Sequence, residues 1–128
     1  MNSAQLKDRT KKFAIDVWKI CAEIPKTREF DAFCKQIIRC SSSVGANYRA
    51  ACRAKSTADF INKLKIVEEE LDESLYFLEL LSEITPNEKF TLLIKEADEL
   101  LSIIVASINT SRKSLQVAHE SKIVNLKS

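Results

Sequence analysis

The sequence predicts an all-α protein, an antiparallel up-down four-helix bundle that assembles into an oligomer. Three observations lead there. One Gly and two Pro in 128 residues leave too little turn chemistry for a sheet protein. A composition of 45% hydrophobic and 30% charged residues, rich in Leu, Ile, Ala, Lys and Glu, is that of long helices. Apolar residues recur at spacings of three and four along four separate stretches, joined by links short enough to make successive helices antiparallel neighbours.

Helix 1 is expected from about Ser3 to Glu23, with Leu6, Phe13, Val17, Ile20 and Ile24 on one face and Pro25 ending it. Helix 2 starts after Thr27, a suitable N-cap, and runs to about Ala54. Its stripe is Phe30, Phe33, Ile37, Cys40/Ser41, Val44, Tyr48 and Ala51. Ser56 caps helix 3, with Asp59 placed to close a capping box, and the stripe is Phe60, Leu64, Val67, Leu71, Leu75 and Leu78. Thr85-Pro86-Asn87-Glu88 is the strongest punctuation: Thr85 as N-cap, Pro86 at the first helical position, Glu88 closing the box. Helix 4 carries Phe90, Leu93/Ile94, Ala97, Leu101, Ile104 and Ile108 and is expected to end near Lys113. The bundle thus occupies residues 1–113. Residues 114–128 are expected to form a frayed or disordered tail, in which Leu115, Val117, Ile123, Val124 and Leu126 are available to dock on something.

Several function classes are excluded. A single Gly cannot build a phosphate-cradling glycine loop. Cys21, Cys34, Cys40 and Cys52 form no Cys-x-x-Cys pair, and the only His, His119, lies in the tail, so neither a zinc site nor a triad is expected. The carboxylate stripe Glu68, Asp72, Glu79 and Glu83 has no Glu-x-x-His partner of the di-iron type. No catalytic residue, cofactor or metal is therefore expected. Met1–Lys12 is polar, unlike a secretory signal, and no apolar run approaches the roughly 18–20 residues of a membrane span. These features predict a cytoplasmic protein that keeps its cysteines as small buried hydrophobes.

The net charge of +2 hides a strong asymmetry. Residues 1–55 carry twelve Lys/Arg against five Asp/Glu, residues 56–101 four against twelve, and residues 102–128 four against one. On a helical wheel, Arg28, Lys35, Arg39, Arg49 and Arg53 fall within about 40° of one line along helix 2, opposite its apolar stripe. This ridge is either a solvated amphipathic face, a phosphate-tracking stripe for nucleic acid, or a partner for the acidic helix 3 of a neighbouring subunit. A second seam on helix 2 contains Cys34, Ile38, Ser41, Gly45 and Cys52. Small residues there allow another helix to approach closely, within the bundle or from another subunit. Asn47, at the edge of the stripe, suits an interhelical hydrogen bond. Ile66, Phe77, Leu80 and Leu81 on helix 3, with Leu92 and Ile103 on helix 4, lie off the main stripes and predict an apolar interface between copies. Trp18 and Tyr76 are able to stack on bases, though single aromatics at helical spacing are more often core or boundary residues.

The run Gln36-Ile37-Ile38-Arg39-Cys40-Ser41-Ser42-Ser43-Val44-Gly45-Ala46-Asn47-Tyr48 resembles the signature of small four-helix-bundle proteins encoded in intervening sequences of bacterial 23S ribosomal RNA genes. Arg53-Ala54-Lys55-Ser56-Thr57-Ala58-Asp59-Phe60 is similar to that family's link into helix 3, and Glu69/Glu70 with Leu78-Glu79-Leu80-Leu81 to a later segment. Val17–Ile20 and Ile24–Lys26 resemble its helix 1 ending. The likeness spans about residues 7–113, with Asn47, Arg53, Ser56, Asp59 and Phe60 matching the motif. It departs at Arg49-Ala50-Ala51, where the family has Glu-Gly. The resemblance implies a bacterial cytosolic bundle without enzymatic activity that forms a cyclic homopentamer. It also points to a related branch, the accessory variability proteins of diversity-generating retroelements, which are basic pentameric barrels binding nucleic acid and reverse transcriptase. The expectation is a non-enzymatic homo-oligomer that binds structured RNA through the helix 2 ridge. The alternative is a structural or protein-interaction scaffold with no nucleic-acid partner.

Overall fold

A computed structural model describes residues 1–127. They form four α-helices and, among the described residues, no strand: α1 (Ser3–Glu23), α2 (Arg28–Cys52), α3 (Thr57–Ile84) and α4 (Glu88–Lys127). Each helix packs on its sequence neighbours, and α4 closes back on α1, so α1 and α3 lie on a diagonal. Successive helices run antiparallel: Phe33 meets Phe77 and Cys40 meets Ser74 across α2 and α3, while Arg9 reaches Glu96 and Glu23 reaches Lys89 across α1 and α4.

The caps explain the boundaries. Asn2 opens α1 with a reciprocal capping box to Gln5, Thr27 accepts from the Phe30 N–H, and Ser56 accepts from the Asp59 N–H. Asp59 reaches one residue beyond the expected box and accepts from the Lys55 N–H at 3.1 Å. At the third junction the expected box does not form. Thr85 instead terminates α3, donating its N–H to the Leu81 carbonyl, and the Asn87 side chain accepts from the Lys89 N–H. Pro86 sits in the link, two residues before α4 begins.

One contiguous core fills the bundle, with Phe13, Val17, Ile37, Val44, Leu64, Leu71, Leu78, Phe90 and Ile104 almost completely buried. Along α3 the buried positions are Ile61, Leu64, Val67, Leu71, Ser74, Leu78 and Leu81. That is a heptad seam, in which 64, 71, 78 and 67, 74, 81 repeat every seven residues. Leu81, expected at an interface between copies, is 0% exposed and belongs to this core. A wheel drawn at 100° per residue drifts off a seven-residue repeat, and so it misplaces the last leucine. The same drift puts Leu100 rather than Leu101 in the core of α4. Buried polar groups are satisfied locally: Thr10 donates to the Lys7 carbonyl, Ser41 to Ile38, and Ser74 to Glu70.

α4 does not stop near Lys113. It continues to Lys127, because no Gly or Pro follows Pro86 to end it. The segment expected to fray is therefore helical as far as described, and its last residue, Ser128, lies outside the described residues.

Candidate nucleic-acid interface

The five cations of the α2 ridge meet different fates, and the helical wheel explains why. With Lys35 as origin, Arg39 leans about 40° toward α3 and Arg49 about 40° toward α1. The α3 side is acidic. Arg39 is captured there by Glu73 at 2.6 Å and Glu70 at 3.4 Å, and these carboxylates push its guanidinium pKa up. Its charge is spent within the chain. Arg28, at the start of the helix, pairs with the adjacent Glu29 at 2.8 Å. Among the described residues no ion pair involves Lys35, Arg49 or Arg53, all exposed.

The α1 side is basic. Arg49 lies along a cleft of about 320 Å³ that α1 lines with Lys7, Lys11, Thr10 and Ile15, and α2 with Ser42, Gly45 and Ala46. The small residues make the floor. A Cβ on Gly45 would come within 3.3 Å of Thr10 Oγ1, so the glycine is what lets α1 and α2 approach. Further along α1, Ile15 is 43% and Trp18 61% exposed. Lys7 and Lys11 were not on the sequence-derived ridge. Their signal is in the sequence: at 100° per residue Lys7, Lys11 and Trp18 share one flank of helix 1, away from its apolar face.

The small-residue seam turns inward. Gly45 packs on Thr10, and Cys34 and Ile38 line a cleft with Trp18 and Cys21 of α1. Burial and then the neighbouring Cys34 push the Cys21 thiol up to about 12. Burial also raises Cys40, against a hydrogen bond from Ser74 that lowers it. Thiols held protonated in this way are poor nucleophiles and poor metal ligands. Cys52 is half-buried beside Phe60 at the end of the bundle, in a cleft that α4 lines with Thr110 and Ser111. Of the remaining interface candidates, Phe77 packs edge-on against Phe33 with centroids 5.7 Å apart, Leu80 is half-buried, and Ile66 is exposed.

The motif residues Arg53, Ser56, Asp59 and Phe60 build the α2–α3 junction. Arg53 terminates α2, Ser56 caps α3, and Asp59 accepts from Lys63 at 2.7 Å. Asn47 does not bridge helices; its amide donates to the Ser43 carbonyl of its own helix at 2.9 Å. Arg53, Ser56, Asp59 and Phe60 thus set the course of the chain from α2 into α3, while Ser42, Gly45 and Ala46 of the preceding run floor the groove. Among the described residues no group of three His, Cys, Asp or Glu side chains is arranged to hold a metal ion, and no helix is long and apolar enough to cross a membrane.

The family model for the 23S rRNA-intervening sequence protein matches residues 3–106. This chain belongs to that family. The match covers all of α1, α2 and α3 and stops within α4, leaving residues 107–128 outside it. Among solved structures the chain is similar to a protein of unknown function from the S23 ribosomal protein family of Bacteroides thetaiotaomicron. The two are 32% identical with a TM-score of 0.77, over 85% of this chain and 99% of the other. No curated protein matches the chain.

Proposed function

We propose that this family member is a non-catalytic, cytoplasmic, self-assembling bundle that binds structured RNA through the groove between α1 and α2. The observation that carries the proposal is the convergence of Lys7, Lys11 and Arg49 on one cleft with a small-residue floor, while Arg39 is neutralised on the opposite flank. Unpaired cations along a groove track phosphates by releasing condensed counterions. Exposed Ile15 in the same cleft, with Trp18 two turns beyond Lys11 along α1, offers apolar surface to sugars or unstacked bases. Arg49 also opens the Arg49-Ala50-Ala51 stretch in which this chain departs from the family's Glu-Gly, so this surface is more basic than the signature alone implies. Lys35 and Arg53 extend the same surface along α2. Self-assembly into a ring, five-fold by the family resemblance, would repeat the groove around one particle and convert weak single contacts into avid binding.

The test is a fluorescence-anisotropy titration of a structured ribosomal-RNA fragment at about 0.15 M salt. Saturable binding is expected for the wild type and its loss for Lys11→Glu/Arg49→Glu, with helicity unchanged by circular dichroism. Absence of saturable wild-type binding overturns the proposal. If the double variant instead breaks the assembly into smaller species, the groove is an interface between copies and the chain is a scaffold.

A further inference from the structure

α4 is 40 residues long, against 21, 25 and 28 for α1, α2 and α3. The bundle supports it only as far as Ser111 and Ser114, which lie beside Cys52, Ser56 and Phe60 at the α2–α3 junction. Every residue from Arg112 to Leu126 is exposed. This arm begins beyond the segment that the family model matches.

The arm is not a polar spur. At 100° per residue, Leu115 and Leu126 continue the face that buries Ile104 and Ile108 inside the bundle, and Ile123 widens it on one side. Arg112 and Lys122 flank the Leu115–Leu126 line, each within about 50° of it, ten residues or about 15 Å apart along the axis. An isolated helix of about 15 residues is marginal in water, and an apolar stripe along one calls for a cover. A complementary surface exists on the outer face of α3. There Glu69, Asp72 and Glu79 surround Tyr76, which is 58% exposed. Among the described residues none of these three carboxylates takes part in an ion pair. Glu69 and Glu79 are again ten residues, about 15 Å, apart.

We infer that the α4 arm of one copy docks on the outer α3 face of a second copy. Arg112 and Lys122 meet the carboxylates at the two ends, and the apolar stripe covers Tyr76. The arm cannot reach its own α3 face. It leaves the bundle at the N-terminal end of α3, beside Thr57, and points away, while Glu69 lies twelve residues back along the bundle. Arm-to-face docking is head-to-tail, so each added copy presents a new arm and a new face until a ring closes. The inference rests on the self-association proposed above and is independent of RNA binding.

The experiment uses the full chain after nuclease treatment. A photo-crosslinking residue replaces Leu115, light- and heavy-isotope chains are mixed, and crosslinked peptides are mapped. Sedimentation measures self-association of the wild type, of Arg112→Glu/Lys122→Glu, and of that variant combined with Glu69→Lys/Glu79→Lys. Mixed-isotope crosslinks from position 115 to α3, association weakened at least about tenfold by the arm reversal, and recovery to within about threefold on swapping both sides support the inference. Unchanged association in the arm variant, or crosslinks elsewhere on the second copy or to residual RNA, overturns it while leaving self-association standing. A monomeric wild type overturns both.

Discussion

The two flanks of α2 solve opposite problems with the same residue type. Toward α3, Arg39 reaches across to Glu70 and Glu73, and the pair knits two helices together. Toward α1, Arg49 finds Lys7 and Lys11 across a floor narrowed by Gly45. Like charges side by side do nothing for the isolated chain; they raise the local positive potential and are useful only to an anionic partner. Arginines ten residues apart on one helix thus differ: Arg39 ties α2 to α3, and Arg49, without an ion pair among the described residues, is the one proposed above to meet phosphates. A tilt of about 40° to either side of the helix decides which does which.

The comparison can be broken by reversing charge on each flank in turn. Lys11→Glu/Arg49→Glu is expected to lower affinity for a structured RNA about 100-fold at low salt, whereas Arg39→Glu changes it less than about threefold, both measured by anisotropy titration. Equal losses would erase the distinction between the flanks.

The α1 flank is also the tighter seam. Gly45→Leu is expected to cost about 1–3 kcal/mol in urea unfolding, since α1 must move to admit the side chain. Gly45→Ala is expected to stay within about 1 kcal/mol of wild type. The alanine gains helix propensity while Thr10 gives way at a 3.3 Å contact.

Buried thiols make the two flanks alike. Burial pushes Cys21, on α1 beside Cys34 of α2, up to about 12, and raises Cys40, on α2 facing α3, above its usual 9.0. The unfolded chain ionises first, so the stabilisation is complete below about pH 9 and is lost as pH rises above it, for Cys21 up to about 12. Unfolding free energies from urea titrations between about pH 8 and about pH 11 should fall, by up to about 1 kcal/mol per pH unit from Cys21, with a further fall in the same direction from Cys40. Cys21→Ala should flatten part of that fall. The smallest effect belongs to the Arg39 pair itself. Half-exposed and screened by solvent, it should contribute little, and Arg39→Ala should shift the urea midpoint only slightly.

Much of the fold was legible in the sequence. Pro25, Thr27 and Ser56 act locally through caps and breaks, and they placed three helix boundaries within two residues. The Thr85–Glu88 cluster misled because two caps compete there: Thr85 closes α3, leaving Asn87 to open α4. The site was half legible. A helical wheel found the α2 cations, but their roles depend on which helix stands on each side. The acidic run of α3 and the lysines of α1 acquire meaning only once α2 lies between them. Leu81 and the length of α4 escaped for a different reason. The first depends on a seven-residue repeat rather than 3.6-residue periodicity, and the second on the absence of a stop signal.

The central claim is that Lys7, Lys11 and Arg49 neutralise phosphates while Arg39 does not. The direct measurement is the slope of log affinity for a structured RNA against log salt, for wild type, Lys7→Ala/Lys11→Ala/Arg49→Ala and Arg39→Ala. Each lost phosphate contact should flatten the slope by about 0.7–0.9. The triple variant should therefore be shallower by about 2–3 and the Arg39 variant unchanged. A triple variant with the wild-type slope, or an Arg39 variant that flattens it equally, would contradict the account.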